Sequence, residues 1–279
     1  MRCPICSSKK VKENVYSSPL TIKEGKINSP ITVCSNGGVH YRNINYTSPK
    51  VQSHFDVVTY VSDEYEKFYR ESREPFFLDL IKEIFIYSPS LSDKSRKNFL
   101  DIGCSYGHLM DIFKKYRFDV YGIEINARLR MRLNDKGYKV FRTINDLPKE
   151  EKFDVIAMID SLYYFESPHE ILIHLGQFLA KNGLLIIRIT NRTWLANIFL
   201  NLNMSVPYIL MGDAKYSFTP KSIKILVENS GLEIKKIIFG PERKKKQTIK
   251  KKLYYIFTEL FSQMGILISP GLIYFVGKK

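Results

Sequence analysis

The chain has 279 residues, of which 44% are hydrophobic and 25% are charged, the balance of a soluble globular protein with a buried core. That length accommodates one large α/β domain with an appendage. Four cysteines are too few for a disulfide scaffold, and no apolar run of signal-peptide length begins the chain, so we predict a reducing, cytoplasmic compartment rather than secretion.

Lys and Arg outnumber Asp and Glu by 43 to 28, giving a net charge of +15. This excess favours an anionic partner, such as nucleic acid, a phosphorylated substrate or an anionic membrane surface. Seven of the cations lie in the stretch PERKKKQTIKKK at residues 241–252, so the rest of the chain is less basic than the total indicates.

The first part of the chain divides into two regions of different texture. Residues 1–50 are rich in Ser, Asn, Lys, Pro and Cys with little periodicity, which predicts a small N-terminal segment. Residues 51–97 form a connector that becomes helical, with Pro75 at a position that suits the first turn. The apolar residues that follow share one helical face: Phe76, Phe77, Leu80, Ile81, Ile84 and Phe85.

Strands and helices alternate from residue 98 to residue 279. The predicted strands are NFLDIG, FDVYGIEI, YKVFR, KFDVIAMID, GLLIIRIT, LEIKKIIF and LIYFVG. The stretch TPKSIKILVENSG predicts a helix that Thr219 caps, with Pro220 in its first turn and Gly231 at its end. Short apolar strands between amphipathic helices predict an α/β fold with a parallel sheet covered on both faces.

The tail from 253 to 276 carries a single charge, Glu259, and is long enough to span a membrane. Helical spacing of its apolar residues, and the break at Pro270, favour an amphipathic helix followed by a closing strand instead. With the lysines before it, this predicts a basic amphipathic insertion at about 241–268 that can attract an anionic membrane surface or a lipid-linked substrate. The alternative is a solvated cationic loop and a helix packed on its own domain.

A carboxylate stands where the first predicted strand meets a glycine-rich bend. Asp101 precedes Gly103 and Gly107, and glycines at such a turn let the backbone approach a ligand. A dinucleotide site would show G-x-G-x-x-G, and an acid at its mouth would repel pyrophosphate. The acid suits a ligand with a cationic amino-acid end and a positively charged sulfur, as in S-adenosylmethionine.

A second acid agrees with this interpretation. Glu124 ends the next strand, about 20 residues past Gly103, where an acidic side chain can accept both ribose hydroxyls. The alternative is an exposed acid at a strand end, but position and residue type both favour the cofactor.

Three stretches in order, FLDIGCSYGHLMDIF, YGIEIN and FDVIAMIDSLYYFESPHEILIHLGQFLAKNGLLIIRITN, resemble the motifs of class I S-adenosylmethionine-dependent methyltransferases. The resemblance is good over residues 98–190 and looser over 60–279. It implies a Rossmann-like, doubly wound, mostly parallel seven-stranded sheet with an antiparallel last strand.

The resemblance also implies site residues. It assigns Asp101, Gly103, Cys104, Ser105 and Gly107 to the methionine end, Glu124 and Ile125 to ribose and adenine, Asn145 or Asp146 to the adenine amino group, and Ile159 and Asp160 to the cofactor and the substrate mouth. Asn145 and Asp146 can equally be turn residues, and Asp160 can instead cap the following helix.

The chain departs from the family after the fourth strand of the fold. Where relatives carry a Glu-His pair, it has Tyr163 and Tyr164, so no general base carries over. Asp160 and Tyr164 are the catalytic candidates. His108 follows the bend, although a lone histidine is more often a partner of backbone groups. Three tyrosines resemble an aromatic lid or, alternatively, belong to a packed amphipathic helix: Tyr60, Tyr65 and Tyr69.

The N-terminal cysteines are similar to part of the zinc ribbon found in many bacterial relatives. Cys3 and Cys6 form one C-x-x-C knuckle, and Cys34 begins a second that has Gly37 where the fourth cysteine belongs. His40 can replace the missing ligand if the loop shifts; otherwise the segment persists without metal. Zinc bound by Cys3, Cys6 and Cys34 is therefore one of two alternatives.

The resemblance implies an enzyme that methylates a small-molecule or sugar-type acceptor, at oxygen. One alternative is an RNA methyltransferase of the ribosomal RNA type, which the net charge suits, although the lysines lack the interleaved aromatics of a single-strand binding surface. The other is an inactive cofactor-binding scaffold, suggested by the lost cysteine and the absent Glu-His pair.

Overall fold

A computed structural model describes residues 1–52, 62–93, 95–239 and 271–279. Its strands are β1 Val11–Ile22, β2 Gly25–Cys34, β3 His40–Arg42, β4 Lys97–Ile102, β5 Phe118–Ile123, β6 Lys139–Phe141, β7 Phe153–Ile159, β8 Leu179–Thr190, β9 Tyr216–Ser217, β10 Leu232–Phe239 and β11 Gly271–Lys278. Its helices are α1 Pro49–Gln52, α2 Asp63–Tyr87, α3 His108–Lys115, α4 Ala127–Asp135, α5 Pro168–Phe178, α6 Thr193–Asn201 and α7 Pro220–Asn229.

The larger sheet has seven strands in the order β10-β11-β8-β7-β4-β5-β6. Strands β4 to β8 pair in parallel, while β11 is antiparallel to both β8 and β10. The predicted Rossmann-like α/β fold, with its antiparallel last strand, is therefore confirmed. All seven predicted strands are present, because the apolar runs of a sheet buried on both faces are easy to detect in sequence.

Helices cover both faces of this sheet and form two cores. One core lies under α2, α3 and α4 and includes Phe99, Phe113 and Ile186. The other lies under α5 and α7 and includes Leu100 and Ile187. Consecutive residues of a strand enter opposite cores because side chains alternate across a sheet.

The helix predicted to begin at Pro75 begins at Asp63 instead, so that prediction is wrong. Ser62 caps it by accepting a hydrogen bond from the backbone N–H of Tyr65, and Pro75 lies inside the helix. A proline removes one helical hydrogen bond. Burial of Phe76 and Phe77 against the sheet, on the turn after the proline, offsets that loss.

The N-terminal residues form a second, four-stranded sheet in the order β1-β2-β3-β9. Sequence periodicity did not indicate its long hairpin, because three consecutive polar residues, Lys12, Glu13 and Asn14, interrupt any alternation in the first half of β1. Its last strand, β9, comes from the chain between β8 and α7 and pairs with β3. Cys3, Val39 and Tyr41 belong to the same core as Leu100 of the larger sheet.

The closing strand predicted near the end of the chain is β11. The predicted basic amphipathic insertion at about 241–268 lies outside the described residues. Among the residues that are described, none of the helices combines the length and apolar character needed to cross a bilayer.

Candidate functional site

The bend between β4 and α3 is built on two glycines with left-handed backbone conformations. Gly103 has φ of 77° and Gly107, the N-cap of α3, has φ of 76°. A Cβ added to Gly107 would lie 2.7 Å from Leu133 Cδ2, and one added to Gly103 would lie 3.0 Å from Cβ of Ser161. Larger residues at either position would therefore be strained and crowded, so the tight bend depends on both glycines.

Asp101 lies in β4 directly before this bend, with 5% of its surface exposed. Burial, and then repulsion from Glu124, raise the pKa of its carboxyl to about 8. A buried acid in this state favours a cationic neighbour, which would allow it to ionise.

Glu124 follows β5 and faces the same bend. Its two carboxylate oxygens accept hydrogen bonds from the backbone N–H groups of Ser105, at 2.9 Å, and Asn126, at 2.8 Å. Burial raises its pKa, and these two hydrogen bonds oppose the rise. Each oxygen keeps a second lone pair, so the side chain can still accept from two hydroxyl groups.

The other residues assigned to the cofactor fall around the same edge of the sheet. Cys104 is buried, and its Sγ would be 2.7 Å from a Cβ added to Gly122 in β5. Ile125 is half-buried beside Glu124. Cys104 therefore packs against β5 and does not join the N-terminal cysteines.

The two candidates for the adenine amino group differ in their surroundings. Asp146 accepts hydrogen bonds from the backbone N–H of Thr143, at 2.9 Å, and from its hydroxyl, at 3.0 Å. It thus serves as a turn residue in the short 3-10 helix Ile144–Asp146. Asn145 is exposed in that turn.

Asp160 follows Ile159 at the end of β7 and has a left-handed φ of 59°, which is rare for a residue other than glycine. Its Oδ2 accepts a hydrogen bond from Arg73 of α2, at 3.0 Å, and another from the buried Arg188 of β8. The guanidinium of Arg188 also lies 5.0 Å from the ring centroid of Phe76. Asp160 is therefore paired with two cations.

Sequence reasoning missed both arginines. The signal for Arg188 was present, since a charge interrupts the otherwise apolar strand GLLIIRIT. A charge inside such a strand is rarely buried without a partner or a function. Arg73 gave no signal, because the surrounding stretch of α2 is rich in exposed charges.

Aromatic side chains of α2 cover the glycine bend. The rings of Tyr65 and Tyr69 lie 6.4 and 6.0 Å from the ring of Tyr106, and His108 stacks on Tyr106 at 5.8 Å between centroids. The third tyrosine of the predicted lid, Tyr60, lies outside the described residues. Both ring nitrogens of His108 are buried without a hydrogen-bond partner in the part of the chain that the structure describes.

Tyr163 and Tyr164 lie in the short 3-10 helix Leu162–Tyr164 that follows Asp160. Burial raises the pKa of Tyr163 well above its ordinary value, and the negative charge of Asp160 adds to this. Tyr163 is therefore protonated near neutral pH. The ring of Tyr164 packs edge-on against that of Tyr163, with centroids 4.9 Å apart.

The structure brings three of the four cysteines together. The sulfur atoms of Cys3, Cys6 and Cys34 all lie within 4.8 Å of one another. His40 is not among them: its Nδ1 lies 3.1 Å from the Tyr16 hydroxyl and its Nε2 lies 3.0 Å from Asn197 Oδ1. The fourth-ligand alternative for His40 therefore has no support from this geometry.

Comparison with known proteins gives the family. The sequence model of the family described as Methyltransferase domain matches residues 69–237, more than half of the chain. The Candida albicans protein named mitochondrial ubiquinone biosynthesis O-methyltransferase is 28% identical over 116 residues, which are 36% of each chain. The Rickettsia typhi protein named ubiquinone biosynthesis O-methyltransferase is 24% identical over 160 residues, or 52% of this chain and 64% of that protein.

The chain thus spans only part of the length of the curated relatives that it matches.

Solved structures agree in fold. An S-adenosylmethionine-dependent methyltransferase from Clostridium acetobutylicum superposes with a TM-score of 0.52 at 12% identity, covering 77% of this chain and 98% of that one. The plantazolicin methyltransferase in complex with SAH gives 0.51 at 19% identity, covering 79% and 93%. The match over residues 69–237, together with the seven-stranded sheet and its glycine bend, shows that the chain belongs to the methyltransferase domain family.

Proposed function

We propose that this protein is an S-adenosylmethionine-dependent methyltransferase that methylates an oxygen atom of a small molecule. The observation that carries the cofactor assignment is Asp101, a buried carboxyl whose pKa is raised to about 8 beside a two-glycine bend. An ammonium group would stabilise the ionised form of this acid, whereas the pyrophosphate of a dinucleotide would disfavour it.

The described residues fit this cofactor. Asp101 would hold its ammonium group, and the backbone of Gly103 to Gly107 would lie along its methionine end. The remaining lone pairs of Glu124 would accept the ribose hydroxyls, with Ile125 and Asn145 beside the adenine. When bound, the cofactor supplies a methyl group already activated by a positively charged sulfur.

The chain's own contribution to catalysis is then mainly to position the acceptor and to exclude water. Tyr65 and Tyr69 on α2 lie over the bend and would shield it from solvent. A base is needed only if the acceptor loses its proton early. Asp160 already accepts hydrogen bonds from Arg73 and Arg188, which leaves Tyr164 as the other predicted candidate for this base.

Oxygen methylation of a small molecule is supported by the names of two relatives, both ubiquinone biosynthesis O-methyltransferases.

Calorimetry tests the cofactor assignment. We expect S-adenosylhomocysteine to bind with a micromolar dissociation constant and NAD not to bind. Tight binding of NAD without binding of S-adenosylhomocysteine would contradict the proposal.

The acceptor is tested separately with methyl-labelled S-adenosylmethionine. We expect label to enter a small-molecule extract and to be released as a methyl ether or ester. Label entering bulk RNA with a steep dependence on salt would support an RNA methyltransferase instead. Cofactor binding without labelling of any fraction would support an inactive scaffold.

We also propose that Cys3, Cys6 and Cys34 hold a zinc ion. Three sulfurs within 4.8 Å of one another suit a tetrahedral zinc site that takes its fourth ligand from solvent. Burial acts to raise the pKa of Cys6, but hydrogen bonds from the Ser8 backbone, Asn36 and the other two cysteines lower it, which favours the thiolate there. Burial raises the pKa of Cys3 to about 12, so that thiol would lose its proton only on binding the metal. Such an ion would crosslink the start of the chain to the end of β2.

A further inference from the structure

We infer that Arg188 and Arg73 bind an anionic group of the methyl acceptor, a carboxylate or a similar oxyanion. This inference rests on the proposed function and narrows its substrate class from small molecules in general to anionic ones. It begins from a pair of arginines that share a single carboxylate at the edge of the sheet where ligands bind.

The position of the pair favours the acceptor over the cofactor. The connections reverse direction between β4 and β7, and ligands of open α/β sheets bind in the crevice at such a switch point. The glycine bend after β4 and Glu124 after β5 lie on one side of that crevice. Arg188 lies on the other side, in β8, two strands from β4 and hence about 10 Å along the sheet at the usual strand spacing.

The two sides of the crevice are in contact. A Cβ added to Gly103 would lie 3.0 Å from Cβ of Ser161, the residue after Asp160. A group held by Arg188 would therefore lie beside the methionine end of the cofactor. This places an anion-binding site within reach of a methyl donor without overlapping the part assigned to ribose and adenine.

Both guanidinium groups donate to the same oxygen of Asp160, and the hydrogen bonding of Arg188 is incomplete, because its Nε has no partner among the described residues. Arg188 is only 6% exposed, and a buried cation is costly unless it is fully paired.

Three polar atoms at the same place are buried without a hydrogen-bond partner among the described residues: Arg188 Nε, Asp160 Oδ1 and Ser161 Oγ. Buried polar groups are normally paired, so an orphaned cluster of this kind indicates a missing ligand. Arg188 Nε and the Ser161 hydroxyl are donors that suit an oxyanion, and Asp160 Oδ1 can accept from a hydroxyl of the same molecule. The left-handed backbone of Asp160 is a further sign of a functional site.

The experiment compares anions with neutral molecules of the same shape. Benzoate and acetate are titrated against benzamide and acetamide at constant ionic strength, with the protein saturated in S-adenosylhomocysteine and again without it. We expect the unaltered protein to bind the anions at least tenfold more tightly than the amides. We expect Arg188→Met to abolish that preference.

Two further variants keep the test decisive. Because Arg188 is buried, the thermal unfolding temperature of Arg188→Met is measured to check that the variant folds. Arg73 is 22% exposed, so Arg73→Met provides a second test of the same pair. Arg96→Met is the matched control, because Arg96 is 79% exposed at the opposite end of β4 and pairs with Asp119. We expect the control to keep the full preference for anions.

The outcomes separate this inference from the proposed function. Three results would overturn the inference. In the first, the unaltered protein binds anions and amides equally; in the second, it binds neither; in the third, both Arg188→Met and Arg73→Met keep the full preference for anions. A tenfold loss of S-adenosylhomocysteine affinity in Arg188→Met would assign the arginine to the cofactor's carboxylate and would also overturn it. If S-adenosylhomocysteine does not bind the unaltered protein, the proposed function fails, while the titrations without it still decide the anion site.

Discussion

Individual side chains determine which cofactor this site can accept, and Glu124 is the most informative of them. We expect Glu124→Gln to weaken S-adenosylhomocysteine binding at least tenfold, because an amide offers one acceptor oxygen where the carboxylate offers two. Calorimetry measures the loss, and Glu228→Gln, in an exposed i,i+4 ion pair on α7, is the control. Equal affinity in Glu124→Gln and Glu228→Gln would remove Glu124 from the cofactor site.

Asp101 gives a prediction for pH dependence. Its pKa in the folded protein, about 8, lies above the ordinary value of 3.8, so between these values the folded state holds a proton that the unfolded state has released. Stability of the ligand-free protein should therefore fall as the pH rises from about 4 to about 8, by up to about 1.4 kcal/mol per pH unit from this group.

Asp101→Asn isolates that contribution, because asparagine does not titrate. We expect the variant to gain stability relative to the unaltered protein as the pH rises from 5 to 8.5, measured by the denaturant midpoint. Saturating S-adenosylhomocysteine should reduce the difference, since its ammonium group favours the ionised acid. A parallel pH profile for Asp101→Asn would show that Asp101 is ionised throughout.

Among the secondary structure elements, α2 contributes both to the stability of the fold and to the candidate site. One of its faces packs on the sheet, and its N-terminal half carries Tyr69 and Arg73. Ile81 is fully buried on the packed face, so Ile81→Ala should cost about 2–5 kcal/mol of unfolding free energy. Leu78→Ala, at a residue that is 39% exposed on the same helix, should cost less than about 1 kcal/mol. Chemical denaturation measures both, and similar losses for the two variants would contradict the observed packing of α2.

At the scale of the whole molecule, the N-terminal sheet is joined to the larger one by β9 and by a shared core. A zinc ion at Cys3, Cys6 and Cys34 would reinforce that junction. We expect roughly stoichiometric zinc in the purified protein, its loss in Cys6→Ser, and a lower thermal unfolding temperature after chelation rather than complete unfolding.

Cys104→Ser is the matched control for zinc content, because Cys104 packs against β5 away from the other three cysteines. We expect this variant to keep its zinc. Metal analysis that finds as much zinc in Cys6→Ser as in the unaltered protein would refute the site.

The seven strands of the larger sheet, the glycine bend and the two acids beside it could all be predicted from the sequence. Most of these features are local: an apolar run makes a strand, and Asp101 belongs to the same strand-turn-helix unit as the glycines. Glu124 ends the next strand along the chain, which pairs in parallel with β4 and so ends at the same edge of the sheet. The family match over residues 69–237 agrees with that interpretation.

Three contacts could be seen only once the chain was folded. Arg73 and Arg188 pair with Asp160, His40 contacts Asn197 rather than the cysteines, and β9 pairs with β3 of the N-terminal sheet. Each of these joins residues far apart in the chain, through contacts that no local pattern encodes. Arg73 and Asp160, for example, meet only because α2 packs over the end of β7. Which side chains meet across the crevice depends on how helices and strands pack, and that packing is a property of the whole core.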